Sequence, residues 1–154
     1  MLFRSPRPYI VGTQTAMVND AGDPEACGEV SIRFFWDREG GVNPCLARAS
    51  HPWAGDKYGA YFPPQMGEEV VVSFLDGDPE QPLIVGRVYN GAARVPFMNT
   101  SHFGWMTQSG AKIDFDQSNP GGGKITISQP SGNSIVVPEN GTIDRKSTRL
   151  NSSH

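Results

Sequence analysis

Cysteine is nearly absent from this chain, with only Cys27 and Cys45 in 154 residues. No CxxC spacing joins them, so they do not make a zinc site. They read as two unpaired thiols of a reducing compartment, in preference to a disulfide. No apolar run approaches the roughly 18 residues needed to span a bilayer. The start, MLFRSPRPY, lacks the apolar segment of a signal peptide. No cluster of Lys and Arg is present, and the formal charge is −3. That balance argues against nucleic acid or an anionic membrane as a partner. A sustained helical period with caps is also missing.

What the chain has instead is punctuation, with 18 glycines and 13 prolines. That density suits short strands and turns, so the class is all-β. Ile10–Val18 is a first strand candidate, followed by a turn-rich acidic loop over Asn19–Gly28. In GEVSIRFFW, Val30, Ile32, Phe34 and Trp36 fall on one face, the period of a half-buried strand. CLARAS, Cys45–Ser50, sets Cys45, Ala47 and Ala49 on one face, small enough for close packing against it. His51–Pro64 is an aromatic loop. EEVVVSFL, Glu68–Leu75, is the strongest strand, and its β-branched run suits a closed barrel. A turn at Asp76–Gln81 leads to a fifth strand, Pro82–Asn90. Five short strands within about 80 residues fit a barrel of the OB type.

The texture changes after Asn90. Residues 92–110 read as a linker. Three thin strands follow: Ala111–Asp116, Lys124–Ser128 and Ser134–Pro138. Each offers two or three apolar residues, and ordering costs about 1–2 kcal/mol per residue. Such a segment needs neighbouring copies to bury a core.

The final eleven residues, DRKSTRLNSSH (Asp144–His154), resemble at every position the conceptual translation of a common sequencing adapter. The expectation is that residues 144–154 are an artefact, disordered and without packing, and that the native frame ends near Ile143. The tail carries three basic residues and one acidic one, so the charge without it falls from −3 to −5.

Candidate chemistry is sparse. His51, His102, Asp76, Asp78 and Glu80 are the best metal or acid–base material, but no HxxxH, HExxH or carboxylate–His spacing joins them. Asp76–Glu80 lacks the later bidentate Glu of a calcium loop and is broken by Pro79, so it reads as a hairpin turn. Ser109-Gly110 and Ser131-Gly132 are not nucleophile elbows, because no G-x-S-x-G occurs. Gly121–Lys124 lacks the spacing and the Ser or Thr of a phosphate loop. The expectation is no catalytic, cofactor or metal residue, and no enzyme. Phe34, Phe35, Trp36, Trp53, Tyr58, Tyr61 and Phe62 could stack nucleic-acid bases, yet the acidic balance favours barrel core and subunit contact.

Three motif runs carry a resemblance: FFWDREG (Phe34–Gly40), ARASHPWAG (Ala47–Gly55) and GAYFPPQMGEEVVVSFLDGDPEQPLIVGRVYNG (Gly59–Gly91), with GTQTAMV (Gly12–Val18) upstream. Together they resemble the VgrG spike family of type VI secretion systems, related to the baseplate-hub spikes of contractile phages. One departure is His51, where a Gln is more usual. The resemblance spans about Arg7–Val137. It implies an OB-like barrel (1–91) followed, over 111–143, by the start of a β-helical needle of three intertwined chains. It implies a homotrimer and a hub domain upstream that docks on an Hcp-like tail tube. It also implies a PAAR-like tip protein and effectors beyond the needle. The implied protein is assembled in the bacterial cytoplasm and then injected into a target cell. Phe34, Trp36, Trp53, Val70, Val72, Phe74 and Val85 are expected in barrel core or interchain packing. Gly67, Gly77, Gly86 and Gly91 are expected at turns or close approaches. The alternatives are a phage or phage-like tail spike, a spike with an enzymatic C-terminal extension, and an OB-type oligonucleotide- or sugar-binding module.

Overall fold

A computed structural model describes residues 8–22, 28–38, 45–139, 141 and 143–146. The chain divides into two compact units between Arg94 and Val95. Almost every element is a strand; among the described residues the one exception is a short 3-10 turn at Leu75–Gly77.

In the first unit, β1 (Gln14–Asp20), β2 (Glu29–Phe34) and β3 (Cys45–Ala49) alternate inward and outward side chains. A small antiparallel pair, β4 (Ala54–Gly55) and β5 (Tyr58–Gly59), stands apart from them. The β-branched run forms β6 (Glu69–Phe74), and β7 (Pro82–Val88) returns beside it. The strands β1-β2-β3-β7-β6 close into a barrel. Closure comes from a parallel pairing of β3 with β7 and an antiparallel pairing of β1 with β6. Closure removes the free edges of an open sheet, although the β3–β7 seam is short, pairing only Arg48 with Leu83 and Ala49 with Ile84.

Ten side chains fill the barrel: Ala16, Val18, Val30, Ile32, Phe34, Ala47, Val70, Val72, Phe74 and Ile84. They come from all five strands at period-2 positions. The small face of β3 is explained, because Ala47 is buried while Cys45 and Ala49 pack against the core. Burial pushes the Cys45 thiol above its ordinary range, which makes it a poor nucleophile. Cys27 lies outside the described residues.

Three expected packing residues do not join this core. Trp36 is 62% exposed, because β2 ends at Phe34 and the Asp37 amide turns back to the Phe34 carbonyl. Its ring stacks on Phe34 with centroids 5.0 Å apart. Val85 is 46% exposed, because it follows the inward-facing Ile84 and takes the outer face of β7; the β6–β7 register also shifts there. Val71 pairs with Gly86 and Val72 with Ile84, so Val85 is the extra residue of a bulge. Trp53, also 62% exposed, sits beside the β4–β5 pair and outside the core. Gly67 and Gly77 take the positive φ expected of turn glycines, whereas Gly86 and Gly91 do not and meet no neighbour.

The second unit is one antiparallel sheet in the order β12-β11-β10-β9-β8. Its strands are β8 (His102–Met106), β9 (Lys112–Asp116), β10 (Lys124–Ser128), β11 (Ser134–Val137) and β12 (Asp144–Lys146). Two of these correct the sequence reading. The span read as a linker contains β8, in which Phe103 and Trp105 share one face on either side of Gly104. The span read as a disordered tail begins with β12, which pairs Val136 with Asp144 and Ser134 with Lys146. Edge pairing uses backbone groups, so a sequence poor in apolar residues can still supply it. Residues 147–154 lie outside the described residues. A β-helical coil is not visible among the described residues; the strands form an antiparallel meander.

Candidate functional site

The sheet of the second unit has two unlike faces, and its register defines both. Across the strands, Phe103 faces Phe115, then Ile125, then Val137. Two positions along, Trp105 faces Ile113, then Ile127, then Ile135. These two rows occupy one face. Period-2 alternation put them there, and the antiparallel register aligned them. Among the described residues of this unit, no element covers them. Ile127 is 46% and Trp105 59% exposed. All ten buried hydrophobic residues belong to the barrel, so among the described residues the sheet buries no apolar side chain of its own.

The opposite face is ionic. His102 Nδ1 lies 2.9 Å from the Asp114 carboxylate, and Nε2 lies 3.7 Å from Asp116. Lys112 approaches Asp114 at 3.4 Å, and Lys124 approaches Asp116 at 3.3 Å. Asp114 is buried under these partners. Ser118 donates its hydroxyl to Asp116 at 2.6 Å and its amide at 3.0 Å. Those two bonds, with help from Lys124 and His102, hold the Asp116 carboxyl down at about 2. The pairs knit β8, β9 and β10 across the polar side. The spacing of Lys112, Asp114 and Asp116 could have shown this in the sequence, since alternate residues of one strand share a face.

The other candidate residues stay separate. The Asp76–Gln81 segment is a hairpin turn built from its own backbone. The Asp78 carboxylate accepts the Glu80 amide at 3.0 Å, and the Leu75 amide donates to the Gln81 carbonyl. Gly77 lies directly beneath the Tyr9 ring, where an added Cβ would sit 2.1 Å from it. His51 lies tilted against Tyr61, ring centroids 5.4 Å apart, next to the β4–β5 pair. Among the described residues, no three His, Cys, Asp or Glu side chains gather where they could hold a metal ion.

Comparison with known proteins agrees with the barrel. Residues 14–89 match the family described as the type VI secretion system/phage-baseplate injector OB domain. The barrel belongs to that family. The match runs from the first residue of β1 to one residue past β7. Relatives extend the likeness into the second unit. The type VI secretion system spike protein VgrG5 of Pseudomonas aeruginosa PAO1 is 42% identical over 125 residues, covering 77% of this chain and 15% of its own length. The spike protein VgrG1a of the same strain is 40% identical over 129 residues, covering 79% of this chain and 19% of its own. VgrG4b matches at 43% over 99 residues, covering 60% of this chain and 12% of its own. The chain thus spans less than a fifth of the length of these curated relatives. The VgrG resemblance drawn from the motifs holds.

Proposed function

We propose that this chain is the neck and first needle strands of a trimeric spike that acts mechanically, without catalysis, at the tip of a type VI secretion system. The observation that carries the reading is the uncovered pair of apolar rows. A lone sheet leaves eight large side chains partly in water. Burying them would contribute on the order of 10 kcal/mol per chain. Three copies around an axis would cover all three faces at once and leave closed symmetry. The polar face would then look outward to solvent.

In this reading the barrel supplies a rigid collar, and its self-contained core lets it keep its shape under load. The tail tube would dock on a hub domain before the barrel. A PAAR-like tip protein and effectors would attach beyond the needle, and the assembly would be injected from the producing cell into a target envelope. The matched family description joins secretion and phage baseplates, and a phage-like tail spike is the second reading. The three relatives named above are all secretion spikes, which favours the first.

The test is the mass of the chain with the flanking segments of the longer spike proteins restored, measured by sedimentation or native mass spectrometry. A trimer is expected. Ile127→Asp would place three carboxylates on the shared axis at a cost of several kcal/mol per copy. It should dissociate the trimer at micromolar concentration. A stable monomer or dimer, or a trimer indifferent to Ile127→Asp, would overturn the reading.

A further inference from the structure

We infer that the aromatic hairpin between His51 and Tyr61 is a second subunit contact, through which the barrel of one copy binds another copy independently of the C-terminal sheet. The inference rests on the trimeric reading above and adds a contact to it.

The rings of Trp53, Tyr58 and Tyr61 are 62–64% exposed and contribute nothing to the barrel core. They are nevertheless held in place. The Ala60 amide donates to the Trp53 carbonyl at 2.8 Å. Trp53 meets Tyr58 edge-on at 5.9 Å. Lys57 turns the hairpin with a φ of 64°, a conformation uncommon for a residue with a side chain. Gly55 lies under the Tyr58 ring, and a Cβ there would fall 2.4 Å from it. The ring therefore rests on bare backbone. Such fixed rings lose little side-chain entropy when a partner covers them.

Area and charge identify the partner. An aromatic side chain offers about 150–250 Å2, so three rings more than half exposed present roughly 300–400 Å2. That is close to the largest apolar patch an ordinary monomer shows. It is also about half of one partner's share of a standard protein interface. Trp and Tyr are the residues that anchor such interfaces. Asp56 and Lys57 cancel each other at the hairpin, and the chain as a whole is acidic, so nucleic acid is disfavoured. The groove beside the rings, about 350 Å3, is open and shallow in polar partners. A second copy fits because the sheet already brings copies together, and a tethered contact then forms at high effective concentration.

Photo-crosslinking tests this in the chain with its flanking segments restored. A benzophenone amino acid is placed at Tyr58 in one sample and at Ile127 in another. Covalent dimers and trimers are expected from both. Trp53→Ala should cut the Tyr58 products at least fivefold and leave the Ile127 products within twofold, and Tyr61→Ala should do the same should the first variant fold poorly. Products from Ile127 with none from Tyr58 would overturn the hairpin contact and leave the trimer standing. Products from neither would overturn both. Quenching of tryptophan fluorescence by N-acetylglucosamine oligomers or single-stranded DNA at micromolar concentration, without Tyr58 products, would assign the hairpin to a ligand instead.

Discussion

Val72 and Val85 lie on adjacent strands of the barrel and have opposite consequences for stability. Val72 is 0% exposed on β6, facing Val70, Phe34 and the rest of the interior cluster. Val72→Ala removes two buried methyl groups. At about 0.8 kcal/mol per buried carbon, the transfer loss is near 1.6 kcal/mol. The residual cavity, roughly 40–50 Å3 at about 24 cal/mol per Å3, adds about 1 kcal/mol. The total is about 2.5 kcal/mol. Val85 is the extra residue of the β7 bulge and nearly half exposed, so Val85→Ala should stay within about 0.5 kcal/mol. The assay is urea unfolding followed by Trp36 fluorescence, with Trp53 and Trp105 replaced by Phe in the background. Trp36 reports the barrel because its ring stacks on Phe34. Equal effects at the two positions, or a larger one at Val85, would refute the boundary drawn for the core.

Hydrogen exchange should protect the Val70–Phe74 amides far more than Ile125–Ile127 in a monomer, since only the barrel has a covered core; equal protection would contradict that. Gly104→Ala should detach β8 while leaving the barrel folded, because the new Cβ would meet the Ile113 carbonyl oxygen at 1.8 Å; unchanged amide shifts across β8 and β9 would contradict it. Ser118→Ala should raise the Asp116 carboxyl from about 2 toward 3.8, read by carboxyl carbon titration. Because that carboxyl is depressed in the fold, its contribution is present above about pH 4 and is lost as pH falls toward 2, so acid should loosen the β8–β9–β10 ladder in that window.

The barrel was legible because its cues are local. Val70, Val72 and Phe74 alternate on β6, and the Asp76–Gln81 turn carries its own chemistry. A strand with period-2 hydrophobicity between turn residues needs no knowledge of the rest of the chain. The misreadings occur where tertiary context overrides the pattern. Trp36 continues the inward alternation of β2 in sequence, but the strand stops two residues earlier. Val85 is as apolar as its neighbours, but it directly follows the inward-facing Ile84 on β7, and phase is all that decides which face a side chain takes. β12 has no pattern to read, because an edge strand can be held by its backbone alone.

The same distinction separates the two units in what they can do. The barrel has a covered core of its own, ten side chains among the described residues. A meander that sorts its residues cleanly into an apolar face and an ionic face, yet covers only the ionic side through its own ion pairs, is half of an interface. The sorting would be costly without a cover, since two rows of aromatic and branched side chains would stay in water. It costs nothing if other copies supply the cover. The contacts of His102 and Lys124 with Asp114 and Asp116 tie β8 and β10 to β9 without using the apolar face, and Lys112 backs Asp114 within β9. That face therefore stays available for assembly.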